Sequence, residues 1–270
     1  MPSSSSSPTR RATDVAPPWV RFTVVVDTTA EATALQSAWG LAVLVEDEDD
    51  TVLFDTGPSG ATLLHNLGQL GFELARIDGV VLSHIHHDHV GGLQALLRTG
   101  IQPSLFVLPS FPEPFRKALP ASVRQIETTP GSRVGTGLIS TGEMPGPLGE
   151  QALIVPTASG IALVTGCAHP GVVRLAERAR QLVRQRLRLV LGGFHLGEAS
   201  SDEVDRVVRG LRTLGVEQVA PCHCTGALAV RRLRAEYGAD CLEPGLGKPL
   251  VIRAEAGGAS APGKRDVHGL

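Results

Sequence analysis

Residues 84 to 89 read His-Ile-His-His-Asp-His, directly after the apolar run Val80-Val81-Leu82. In an extended segment alternate side chains share a face, so His84 and His86 project together while Ile85 turns into the packing. Apolar spacing then changes to the helical kind at Val90, Leu93, Leu96 and Leu97. Asp88 and His89 therefore stand on the turn into a helix, near its partly positive N-terminus. Three imidazoles and a carboxylate have little reason to crowd when neutral and repel when protonated, so a shared cation is the simplest way to stabilise them. His84/His86 and Asp88/His89 make two chelates. Farther along, Cys167 and His169 repeat the i, i+2 spacing, and thiolate and imidazole both suit Zn²⁺.

The elements that must position these residues can be read from apolar pattern. Arg21 to Val26, Leu41 to Val45 and Thr51 to Phe54 are strand-like, with a hairpin through Glu46 to Asp50. Further strands are expected at Leu105 to Leu108, Leu153 to Val155 and Ile161 to Val164, the last two joined by the turn Pro156 to Gly160. Helices are expected at Val172 to Gln185 and Ser201 to Leu214, leading to strands at Leu187 to Leu191 and Gln218 to Ala220. Each candidate ligand segment then follows a strand. Ala61, Leu64 and Leu67 suggest another helix, with His65 on its exposed side. Phe111 to Pro114 and the Gly/Pro-rich Thr141 to Gly149 are expected to be substrate loops. The arginines between Arg174 and Arg188 read as a solvated face, or as a guide for an anionic substrate if they fold towards the metal mouth. Residues 1–18 and 255–270 lack apolar periodicity and are expected to be flexible tails around one domain over 19–254, which sets His268 aside as a ligand.

Two motifs agree in order and spacing with a known family. His84-x-His86-x-Asp88-His89 followed by Gly91-Gly92-Leu93, preceded by Leu53-Phe54-Asp55-Thr56-Gly57, resembles the metallo-β-lactamase-fold hydrolases. Thr165 to Gly171, Gly192 to Leu196 and Pro221 to Gly226 narrow the likeness to the branch named after a dihydropterin ribofuranosylaminobenzene phosphate synthase. The resemblance implies an α/β (α+β) fold, the four-layer αββα sandwich with approximate internal symmetry. It also implies His223 as the final histidine ligand. Asp55 is expected to orient the ligand loop through hydrogen bonds, since groups behind the ligands normally fix imidazole orientation around a metal. Where the family supplies a bridging Asp, one register places Cys167, and the other makes His169 the middle histidine ligand and gives the bridging place to His195. Both registers stay open. In an extended segment Cys222 and Cys224 would point away from His223, with packing or redox liability as their role.

The resemblance implies a metal-activated water acting on a small-molecule substrate, with Asp88 both a ligand and the holder of the water. Two Zn²⁺ ions are expected, with Fe or Mn as alternatives. A phosphoester is the favoured bond; an iron-dependent redox enzyme of the same fold and a non-catalytic ligand-binding member are the rival readings. Composition narrows the field further. The chain has 270 residues, 42% hydrophobic, enough for a substantial core. Its 25 basic and 27 acidic residues leave a net charge of −2, with no field to draw it onto nucleic acid or an acidic membrane. Four cysteines at these spacings make a poor disulfide framework. The Ser/Pro/Arg-rich opening lacks a signal-peptide core, no apolar stretch spans a bilayer, and a cytoplasmic protein is expected. Oligomeric state is not read from the sequence.

Overall fold

The computed structural model describes residues 16–28 and 34–254. The first strands are β1 (Trp19–Val26), β2 (Ala42–Glu46) and β3 (Thr51–Phe54), followed by helix α1 (Gly60–Gln69) and β4 (Gly79–Val81). Helices α2 (His87–Val90) and α3 (Leu93–Arg98), strand β5 (Ser104–Val107), helix α4 (Glu113–Lys117) and strand β6 (Gln125–Glu127) complete the first half. The second half opens with β7 (Arg133–Val134), β8 (Leu138–Ser140), β9 (Leu153–Thr157) and β10 (Gly160–Thr165). There follow α5 (Val172–Val183), β11 (Leu187–Gly193), α6 (Ser201–Thr213), β12 (Gln218–Cys222), α7 (Ala227–Tyr237) and β13 (Pro249–Arg253).

The strands form two sheets, ordered β13-β1-β2-β3-β4-β5-β6 and β12-β11-β10-β9-β8-β7. Each contains an antiparallel hairpin, β2/β3 or β9/β10, from which parallel strands continue: β4, β5 and β6 in the first sheet, β11 and β12 in the second. Parallel strands need crossover connections, and α3, α5 and α6 lie within them.

Side-chain alternation sorts the core into three layers. Val20, Phe22 and Val24 of β1 turn with Val164 and Leu191 into the space between the sheets. Val80, Leu82 and Leu105 face outward with Leu63, Leu67 and Leu96 of α1 and α3. Ile161, Leu163 and Val190 face the opposite way, with Leu175, Val204 and Leu233 of α5, α6 and α7. The order of layers is therefore helix, sheet, sheet, helix, the four-layer sandwich expected from the sequence. Among the described residues no helix is long and apolar enough to cross a membrane.

Several expectations shift by small amounts. Pro18, assigned to the opening tail, accepts a hydrogen bond from Ala254 N–H at 2.8 Å and extends the β1/β13 pairing. The rest of that tail through Val15, the closing tail from Glu255 and His268 lie outside the described residues. Helix α5 stops at Val183 because Arg184 adopts a left-handed cap with φ of 53°. Phe111 is a core residue and Pro112 caps α4, so that segment is structural at its base. Strand β13 had too little apolar alternation to be recognised: its own residues are half exposed at the sheet edge.

Candidate metal centre

The predicted ligands converge where the parallel strands end, the position at which open α/β sheets usually bind ligands. Ser83 to His89 follow β4, Gly166 to His169 follow β10, Phe194 and His195 follow β11, and His223 and Cys224 follow β12. Backbone conformation there departs from ordinary preference. Among the described residues five non-glycines have positive φ, and Asp55 (60°), Ala168 (62°), His195 (52°) and His223 (51°) all belong to the site; Arg184 is the helix cap. Such conformations cost of order 1–3 kcal/mol each and persist where the surroundings over-determine them.

Three imidazoles face one another first. His84 and His169 rings are 4.7 Å apart, His84 and His86 4.9 Å, and His86 and His169 5.0 Å between centroids. His84 is buried, whereas His86 lies at the exposed mouth. A second group joins Asp88, His89, Cys167 and His223, and a third joins Cys167, His195 and Cys224; within each, and in the group His84, Cys167 and His169, the donor atoms all lie within 4.8 Å. The Cys167 thiol is the member common to all three groups. Its Sγ lies 3.3 Å from His89 Nε2 and 3.4 Å from His223 Nε2.

Surrounding residues fix which ring nitrogen is free. Asp55 is fully buried and its Oδ2 lies 2.7 Å from His89 Nδ1, while its two oxygens accept Ser83 N–H and Ser83 Oγ–H at 2.7 Å each. With that hydroxyl proton committed to Asp55, Ser83 Oγ accepts from His84 Nδ1 at 2.8 Å. Glu150 does the same for the third histidine: Oε2 accepts from His169 Nδ1 at 2.8 Å and from His169 N–H at 2.9 Å. Its Oε1 accepts the N–H groups of Cys167 at 2.9 Å and Ala168 at 2.8 Å. Protonation at Nδ1 leaves Nε2 of His84, His89 and His169 as lone-pair donors. His84 Nε2 is buried without a hydrogen-bond partner, a costly state for a polar atom unless a cation takes the lone pair. This donor set fits a divalent metal ion.

The electrostatics follow from the same contacts. Burial, reinforced by His89, pushes the His84 imidazole down to about 2, so it stays neutral. Burial also disfavours a charged His89, but Asp55 outweighs it and raises the imidazole, making Nε2 a stronger donor. Glu150 is buried too, yet the hydrogen bond from His169, the neighbouring imidazoles and the backbone N–H groups lower its carboxyl to about 2. At Asp88 burial opposes ionisation, while the hydrogen bond with His223 and the charge of His89 hold it well below the usual carboxylate range. Its side chain remains 20% exposed.

His65 stands apart from the cluster, bonded to Ala34 O at 2.9 Å. His195 is exposed and reaches the site only through His169, 4.5 Å away between rings, and the third group. Cys224 corrects the packing assignment: His223 to Thr225 form a 3₁₀ turn rather than an extended segment, so alternation does not apply and Cys224 turns towards Cys167. Cys222 keeps the buried role. Three residues escaped the sequence reading: Ser83, Glu150 and Trp39. Ser83 lies between the apolar run and His84, and a lone Ser there carries no motif. Glu150 directly follows the loop assigned to substrate, and a lone Glu there has no distinguishing motif. Trp39 is 63% exposed, and its ring lies 5.1 Å from that of His223.

A family model described as the metallo-beta-lactamase superfamily matches residues 40–173, from the glycine before β2 to the start of α5. The matched region carries that superfamily's domain, and the fold is the metallo-beta-lactamase fold. It is 25% identical over 269 residues to the 7,8-dihydropterin-6-methyl-4-(beta-D-ribofuranosyl)-aminobenzene-5'-phosphate synthase of Methanocaldococcus jannaschii, covering 81% of this chain and 92% of the relative. A solved metal-dependent hydrolase of the beta-lactamase superfamily is 27% identical, with a TM-score of 0.73 over 87% of this chain and 99% of that one. A diphosphatase of the PhnP family, 15% identical with a TM-score of 0.56 over 87% of this chain and 97% of its own, shares the fold. The superfamily places this protein among metal-dependent folds, and its His, Asp and Cys cluster supplies candidate ligands.

Proposed function

We propose that this chain is a metal-dependent hydrolase of a small anionic substrate, a phosphoester before other bonds. The observation that carries the reading is the meeting of two donor sets at Cys167: His84, His86 and His169 on one side, Asp88, His89 and His223 on the other. His195 and Cys224 meet the same thiol in a third group, with the His195 ring beside that of His169. Two divalent ions, Zn²⁺ before Fe or Mn, would supply Lewis acidity and a water acidic enough to attack near neutral pH. Asp55, Ser83 and Glu150 hold the imidazole rings so that Nε2 points inward. With the metals bound, Asp88 would both help hold an ion and accept a hydrogen bond from the attacking water, orienting it. Trp39 offers a flat apolar face beside His223 for the body of the substrate. Support for a phosphorylated substrate comes from the relative named as a phosphate-compound synthase, and for hydrolysis from the 27% identical metal-dependent hydrolase.

The test is turnover across phosphoester, thioester and lactone panels, with metal per chain measured on the same samples. Asp88→Asn should lower kcat more than it raises KM at equal metal occupancy. A natively metallated wild type that hydrolyses nothing in these panels but consumes oxygen with a thiol substrate would replace this reading with the redox one.

A further inference from the structure

His223 forms a wall shared by two spaces. One is the ligand cluster; the other is a cavity of about 570 Å³ between the end of β1, helix α7 and the chain leading into β13. That volume lies within the range of small-molecule sites, roughly 300–1,000 Å³. Its walls combine apolar surface from Val230, Leu242 and Leu246 with the cations Arg231, Arg234 and Lys248. Two carboxylates also line it, and both are committed. Asp27 Oδ1 accepts the N–H of Thr28 at 2.7 Å and of His223 at 3.0 Å, and Glu243 pairs with Arg234. Arg231 and Lys248 have no ion-pair partner among the described residues. Helix α7 begins in the same wall, at Gly226 and Ala227, with no side chain capping it, which adds partial positive charge.

We propose that this cavity is the subsite for a second, non-reacting anionic group of the substrate: a phosphate or carboxylate held by Arg231 and Lys248, on an apolar body lying along Val230, Leu242 and Leu246. Placing the reacting bond on the far side of His223 rests on the hydrolase reading; the anion subsite itself does not. The substrate class is thereby an amphipathic molecule that carries a fixed negative charge away from the bond that changes. Arg231 offers the planar donors that suit a bidentate oxyanion, and Lys248 a point charge. Neither is held in an ion pair by another described residue, so little has to be broken among them when the anion arrives.

The experiment is calorimetric binding of 2-naphthyl phosphate, 2-naphthoate and neutral 2-naphthamide to the metallated full-length chain. Wild type should bind at least one of the two anions about ten-fold or more tightly than the amide. The Arg231→Ala, Lys248→Ala double variant should lose about ten-fold of that preference, with metal content and Tm unchanged. Arg98→Ala, an exposed cation in the other half, should keep it. Raising ionic strength tenfold should weaken anion binding to wild type more than to the double variant. A deficit confined to the phosphate names a phosphate group, and an equal deficit for both anions names the shared negative charge. Anion preference undiminished in the double variant would overturn the subsite, because the metals alone would then account for it. A charge-dependent deficit without hydrolysis of any panel substrate would retain the subsite and remove the hydrolase reading.

Discussion

Glu150→Gln tests the reasoning about the site most directly, because it changes one charged oxygen and almost no volume. The carboxylate is fully buried and accepts four hydrogen bonds, from the N–H groups of Cys167, Ala168 and His169 and from His169 Nδ1. An amide can accept at only one end. Whichever way the substituted side chain is turned, two N–H donors face an NH₂ group, and two charge-assisted bonds of roughly 1.5–3 kcal/mol each are forfeited. Allowing for local relaxation, about 3 kcal/mol of stability should be lost. At roughly 2–4 °C per kcal/mol this is a fall in Tm of about 6–12 °C. A second consequence follows for His169. If the new NH₂ donates to Nδ1, the ring proton moves to Nε2 and the lone pair aimed at the cluster disappears, so metal affinity should drop about 10–100-fold. The assay is thermal unfolding of the chelator-treated protein together with chelator competition on the loaded one. Glu143→Gln is the control, since among the described residues Glu143 accepts only a 3.3 Å bond from Ser110 N–H. A Glu150→Gln protein within about 2 °C and two-fold of wild type would refute the idea that this carboxylate fixes the site.

Other substitutions probe different links. Gly193→Ala would set a Cβ 2.4 Å from Gly166 O and 2.7 Å from Cys224 Sγ, so both stability and metal content should fall, by unfolding and by metal analysis. Cys167→Ser should cost more metal per chain than His195→Ala, because Cys167 belongs to every donor group and His195 is exposed; the reverse order would assign the joint position to His195. Trp39→Ala should raise KM several-fold for an aromatic substrate with little change in kcat, and an unchanged KM would remove Trp39 from the substrate path.

Much of this site was legible because metal chemistry leaves dense local marks. His84 to His89 carry ligand type, spacing and the switch from strand to helix within one stretch, and Cys167/His169 repeat the strand part of that pattern. Legibility failed where a residue acts through tertiary geometry alone. Glu150 is 17 residues from Cys167 in sequence, and nothing in its neighbours distinguishes it from a solvated loop glutamate until four donors are seen around it. Trp39 and Arg231 are similar, since their relation to His223 exists only after β1, β2 and α7 have been brought to one end of the sandwich.

Cys224 failed for a different reason. Alternation predicts opposite faces for Cys222, His223 and Cys224 only while the backbone stays extended, and the chain abandons β geometry at His223, where φ becomes 51°. The same departure occurs at Asp55, Ala168 and His195, each where a strand has just ended. A strand delivers side chains to two faces, but a cation needs donors from several directions around one point. Positive φ at these positions turns the chain sharply enough to aim them. That strain is held in place by buried acceptors such as Asp55 and Glu150, and by the close approach of Gly166 to Ser83, where any Cβ would meet the hydroxyl at 2.2 Å. The glycines and buried carboxylates around the cluster are therefore as much a part of the candidate metal centre as the imidazoles they orient.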